Sequence, residues 1–204
     1  MYSNLRMIFI LILFILFIVL CKKRKKEFSK NIIIISIVFS AVVYIALYFF
    51  PIENLFYTFS SVQEVFNYQF NGEILDTING NNSTMVVYST NNNTYSYAVI
   101  PKNNNGWKIG TSFSLKKILQ ENYGSKIITI YKYQNSDDYY VIIADPIVNK
   151  EDNFADIYDN QNSVFNHITN DLSNTNKKSI IYYAYVNKLE KNYLININSK
   201  ALEL

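Results

Sequence analysis

Cysteine is almost missing from this chain: Cys21 is the only one in 204 residues. No disulfide framework can form, and the long segment after it must rely on its own core. Histidine is just as scarce. With His167 alone, a zinc site could be completed only by carboxylates, and a Ser-His-Asp triad would have no other base. Five glycines leave no Gly-rich phosphate loop and no Gly-x-Ser-x-Gly turn to present a nucleophile. Arginine occurs twice and proline three times. No cofactor is expected from such a set.

Four residue types fill the space. Isoleucine (29), asparagine (28), tyrosine (18) and lysine (17) make up 92 of the 204 residues. All four have A/T-rich codons, so the bias reads as a low-GC genome and not as a functional Asn-rich tract. The net charge of +3 hides a division. Residues 1–50 carry seven basic residues against one acid, whereas residues 51–204 carry twelve against fifteen. The acidic part is a poor match for phosphate backbones, and no nucleic-acid partner is expected.

The basic part is also the apolar part. Met7–Cys21 contains no charge, and Ile32–Phe50 is interrupted only by Ser36 and Ser40. At about 1.5 Å per residue the second run covers roughly 28 Å, close to the ~30 Å of a bilayer core, and the first roughly 22 Å. Charge follows the first run and no small-residue cleavage site does, which argues against a signal peptide. Leu20 before Cys21 argues against a lipoprotein site. Lys22, Lys23, Arg24, Lys25 and Lys26 then set topology by the positive-inside rule. The expected class is α+β and membrane-anchored. Residues 1–50 form a two-helix transmembrane anchor with a basic cytoplasmic loop at 22–30. Residues 51–204 form an extracytoplasmic, mainly antiparallel β domain with one or two helices. The expected location is a cell membrane, two-pass, with the N-terminus and the C-terminal domain outside the cytoplasm.

In the second part, Leu55, Phe59, Val62, Phe66 and Phe70 recur at helical spacing, and Ser61-Val62-Gln63-Glu64 fits a capping box for a helix from Ser61 to about Gln69. Strands are predicted at Glu73–Ile78, Thr84–Ser89, Tyr95–Ile100 and Trp107–Gly110. Asn79-Gly80-Asn81-Asn82 and Thr90-Asn91-Asn92-Asn93 supply turns. Ser114–Glu121 reads as a helix with Leu115, Ile118 and Leu119 on one side. Two hairpins come next, Lys126–Tyr133 with Tyr139–Asp145 and Ser179–Val186 with Tyr193–Asn198, giving six to eight strands in all.

Chemistry is sparse. Asp145, Glu151, Asp152, Asp156, Asp159 and Asp171 invite a calcium site, but their spacing is not Asp-x-Asp-x-Asp-Gly and no glycine lies among them. A solvated loop is the expectation. Asp137-Asp138 falls in a predicted turn, where aspartate serves the backbone. Trp107 and the tyrosines suit ordinary sheet packing better than sugar stacking. Asn82-Ser83-Thr84 and Asn92-Asn93-Thr94 are formal glycosylation sequons that matter only in a eukaryotic secretory pathway.

Ser61-Val62-Gln63-Glu64-Val65-Phe66, Gly72-Glu73-Ile74, Pro101-Lys102 and Gly106-Trp107-Lys108-Ile109, with the ending Tyr182-Tyr183-Ala184-Tyr185 and Asn192–Asn198, carry a resemblance. Over roughly residues 55–200 the chain resembles small uncharacterised membrane-anchored proteins of low-GC Gram-positive bacteria. The resemblance implies location and fold and transfers no site residue. The expected function is a non-enzymatic binding, sensing or accessory module whose partners are the lipid bilayer and a membrane protein or extracellular ligand. The alternative is a cell-envelope enzyme using carboxylates of the 145–171 tract.

Overall fold

A computed structural model describes residues 2–23, 30–90, 94–111, 114–134, 136–173 and 175–204, with backbone alone at 2–6, 21–23, 30–33 and 48. The side chains of Lys22, Lys23, Arg24, Lys25 and Lys26 therefore lie outside the described residues, as do Asn91, Asn92 and Asn93 of the second predicted turn.

Helices occupy both apolar runs, α1 over Tyr2–Lys23 and α2 over Lys30–Phe49. They pack on each other, with Ser36 buried between them. Among the described residues, however, no helix is long and apolar enough to cross a membrane. This corrects the two transmembrane helices, the membrane-anchored α+β class built on them, and the two-pass placement in a cell membrane. The physical reason is the length of the apolar part: the uncharged run is Met7–Cys21 within α1 and Ile32–Phe49 within α2, which at 1.5 Å per residue cover roughly 22 and 27 Å of a ~30 Å core.

After Pro51 the chain makes one helical turn, α3 (Glu53–Phe56), runs extended, and re-enters a helix in α4 (Val62–Gln69). The capping box is real: Ser61 Oγ accepts from the Glu64 amide at 3.2 Å, and Glu64 Oε2 accepts from the Ser60 amide at 2.9 Å. Because that cap restarts the helix, the stripe expected on one face is broken. Leu55 is 79% exposed, Phe59 bridges to Trp107 in extended backbone, and Phe66 is fully buried.

Twelve strands, all paired antiparallel, build three sheets from the described residues. The first has the order β1 (Glu73–Asn79), β2 (Ser83–Ser89), β3 (Tyr95–Asn103) and β4 (Gly106–Trp107). The second has the order β5-β6-β7-β10-β9, formed by β5 (Leu115–Tyr123), β6 (Lys126–Tyr133), β7 (Asp138–Asn149), β9 (Asn166–Asp171) and β10 (Lys177–Asn187). The third is β12-β11-β8, from β8 (Ile157–Asp159), β11 (Leu194–Ile197) and β12 (Lys200–Glu203).

These elements stack in four layers. β2 is buried on both faces: Val86 and Tyr88 pack under Val65 and Phe66 of α4, while Met85 and Val87 face Tyr140, Ile142 and Tyr183 of the second sheet. The far side of the second sheet, Ile128, Ile130, Val141, Ile143 and Ile180, packs on Tyr193, Ile195 and Ile197. Central sheets covered on both faces read as continuous apolar runs, as Val141-Ile142-Ile143 does here.

Three expectations need correction. The helix at Ser114–Glu121 is the strand β5. Its half-buried positions Leu115, Leu119 and Tyr123 are four apart, a spacing that a helix and a regular strand both satisfy, but a bulge near Ile118 turns Leu115 to the face of Tyr133 and Leu119 and Tyr123 to the face of Ile128 and Ile130. The turn at Gly124, with φ of +60°, closes a hairpin with β6 and settles the matter. Lys116 and Lys117 then guard an open sheet edge. Second, β10 and β11 are not a hairpin: β10 lies between β7 and β9, and β11 leaves for the third sheet. Third, twelve strands replace six to eight, because β8, β9 and β12 are short or polar and show no apolar alternation.

Candidate functional site

The bend that shapes the site begins at Asp145-Pro146. Ile180 of β10 pairs with Asp145 and Lys178 with Val148, so Pro146 and Ile147 together oppose Ser179 alone. Proline has no amide to give the ladder, and the extra residue bulges β7 away from its neighbour. Behind the bulge a cavity of about 380 Å³ opens beside the Lys126 end of β6, the 149–153 loop and Asn198.

Asp145 forms its floor and is 4% exposed. Ser125 Oγ donates to Asp145 Oδ1 at 3.0 Å, and the Lys126 ammonium pairs with Oδ2. Tyr182 stands beside them. Its hydroxyl accepts the Ala155 amide at 2.8 Å, and burial raises its pKa above the ordinary phenol value, partly offset by that amide. Lys178, also buried, donates to the carbonyls of Lys150 and Asp152 at 3.1 and 3.0 Å and lies over the Phe154 ring. That clamp holds the loop carrying Asp152, whose Oδ2 caps the Asn149 amide at 3.3 Å. Asp152 and Lys177 are exposed at the rim. The lining therefore offers both signs of charge, with the deepest carboxylate already neutralised.

The other acidic residues go elsewhere. Glu151 and Asp156 are exposed, and Asp171 pairs with Lys150 at 3.1 Å on the surface. Asp159 is buried, accepting from Tyr193 Oη at 2.7 Å and from the amides of Gln161 and Ser163 at 3.0 and 2.8 Å. No three metal-ligating side chains converge among the described residues. His167 lies exposed on β9, its ring 4.1 Å from that of Phe154. Trp107 is half-buried, with its indole nitrogen 3.4 Å from Thr84 Oγ1.

Asp138 departs most from its sequence reading. It opens β7 instead of sitting in the turn, and it is fully buried. Its carboxylate accepts from the amides of Asn81 and Asn82 at 3.1 and 2.7 Å, from Ser83 Oγ at 2.8 Å and from Tyr185 Oη at 3.0 Å. Gly80 makes this possible, since a Cβ there would fall 2.9 Å from both Asp138 Oδ2 and Tyr140 Oη. Sequence reasoning also passed over Ser125, Lys126, Lys177 and Lys178. The available signal was Gly-Ser-Lys at one strand start and Asp-Pro at another strand end, which become informative only once β6 and β7 are paired.

No family model, no curated protein and no solved structure matches the chain.

Proposed function

We propose that the chain is a binding, sensing or accessory module without catalytic activity, which takes a small polar ligand in the cavity beside Asp145. One observation carries this reading: a cavity of about 380 Å³ presents Lys177 and Asp152 at its rim while Asp145 is held by Ser125 and Lys126. A saturated carboxylate is a fixed anchor and a poor general base. The ligand that suits such a lining is small and carries both charges.

The lipid bilayer is the second partner in this proposal. Met7, Leu11, Ile15, Ile34 and Ile37 on the two helices are each more than half exposed, and contiguous apolar surface of that extent marks an interaction site.

A carboxylate enzyme is the competing reading, favoured by the placement of Asp145 and Asp152 in one cavity. One experiment separates the two. The full chain is screened with free amino acids and other small zwitterions by thermal shift, and the hits are incubated and analysed by mass spectrometry. The expected result is a raised midpoint that Lys177→Ala and Asp152→Ala abolish, with the ligand recovered unchanged. Conversion of the ligand that stops in Asp145→Asn would establish the enzyme.

A further inference from the structure

A second concavity, of about 530 Å³, has a different chemistry. It lies between β1, an edge of the first sheet, and the loop leading into β9, an edge of the second, with the end of β10 beside them. Tyr183 Oη reaches Asp76 Oδ2 at 2.7 Å and holds β1 over that end. Not one of the side chains lining the groove carries a charge.

The loop is rigidly built. Asp159 takes the amides of Gln161 and Ser163, Gln161 Nε2 donates to the Lys188 carbonyl at 3.2 Å, and Asn162 sits at φ of +58°. Those bonds engage Gln161. Among the described residues, the side chains of Thr77, Asn162, Ser163 and Asn166 have no hydrogen-bond partner in the protein. Val164, 76% exposed, adds a bare apolar surface next to them.

We propose that this groove is a binding site for a neutral, polyhydroxylated ligand, a saccharide. Carboxamides and hydroxyls both donate and accept, which matches the alternating demands of vicinal sugar hydroxyls. Val164 offers a face for ring C–H groups. Phosphates, nucleotides and zwitterions would lose their hydration there and gain no opposite charge. A peptide strand added to β1 is the rival for an edge position, but the ladder there is spoiled. β1 is irregular between Ile74 and Asp76, and the Thr77 amide is already bound by Asp76 Oδ1 at 2.8 Å.

The test uses the full chain in a detergent with no sugar headgroup, titrated by calorimetry with linear tetrasaccharides of glucose and of N-acetylglucosamine and with an uncharged, end-capped tetrapeptide. Saturable binding of one tetrasaccharide is expected. Asn162→Gly, which keeps the positive φ, combined with Asn166→Ala should weaken it about tenfold at an unchanged melting temperature. Val164→Lys, at an exposed position, should weaken it as well. Lys177→Ala, in the charged cavity, should leave it untouched, so failure here is distinct from failure of the small-ligand reading. The proposal is overturned if neither saccharide binds saturably, if the groove variants bind like the parent, if Lys177→Ala removes binding, or if the peptide binds in their place.

Discussion

The two faces of the central sheet are held to their neighbours by different physics. Toward the third sheet the contact is mainly aliphatic, with Ile128, Ile130, Val141, Ile143 and Ile180 supplying area, while the Tyr193 hydroxyl bonds Asp159 on its own side and does not bond the central sheet. Toward the first sheet it is tyrosine, and the hydroxyls are bonded. Tyr140 shares a hydrogen bond with Ser83 Oγ at 2.8 Å, Tyr183 reaches Asp76, Tyr185 reaches Asp138, and Tyr97 meets Tyr131 hydroxyl to hydroxyl. Aliphatic packing tolerates small slips at modest cost, whereas a bonded interface fixes how one sheet sits on the other. The two concavities obey the same division. The charged cavity opens at a bulge beside the aliphatic layer, and the neutral groove opens where the bonded layer brings two sheet edges together.

The comparison can be broken most directly at Asp138. Replacing it with Ala strands two amides and two hydroxyls in a buried place, and a loss of about 4 kcal/mol in unfolding free energy is expected by denaturant titration. A loss below about 1 kcal/mol would mean that the bonds at this interface do not hold the sheets. Ile143→Ala, on the opposite face, should cost about 3 kcal/mol through lost transfer energy and a cavity. If Ile143→Ala proved costlier than Asp138→Ala, the ranking of the two faces would be reversed.

The smallest effect, and the most selective, is alkaline. Burial first, with the Asp138 charge adding to it, pushes the Tyr185 phenol from its ordinary 10.0 up to about 12. Burial likewise raises Tyr140 and Tyr183. A group raised in the folded state gives stability that is whole below its unfolded pKa and is lost as pH climbs through the folded one. Melting temperature should therefore be unaffected by these tyrosines below pH 10 and should fall between pH 10 and 12. Tyr185→Phe should flatten part of that fall, and an ultraviolet titration of tyrosinate should show late, cooperative ionisation. Independent ionisation of all tyrosines near their ordinary pKa of about 10 would show that the interface is open to water.

Strands with clean period-two patterns and Asn- or Gly-rich turns were legible in sequence. Lys126–Tyr133 matches β6 at both ends, and the Ser61 cap marks the start of α4. β9 was not legible, because a polar edge strand with half-exposed side chains looks like the solvated loop expected there. β5 was misread for a definite reason: residues four apart satisfy a helix and a strand alike, and pairing with β6 decides between them. For the candidate site, Asp145 was visible as a carboxylate of interest. Its partners Ser125 and Lys126 stand some twenty residues earlier and reach it only across a ladder.

Sequence alone determines the local and compositional features. The absence of disulfides, the helical propensity of the apolar runs, the capping box and the turn at Asn79–Asn82 need only near neighbours and covalent chemistry. Which strands share a sheet, which carboxylates are saturated and which amides are left free needed the tertiary structure. Asp138 shows why. Read along the chain it is one of two aspartates in a turn, and nothing nearby distinguishes it from Asp137. Only the approach of residues 80–83, more than fifty positions away and allowed by the bare backbone of Gly80, brings it the amides of Asn81 and Asn82 and the Ser83 hydroxyl and removes it from water. A carboxylate's chemistry is set by the groups that surround it, and here those groups arrive from another sheet.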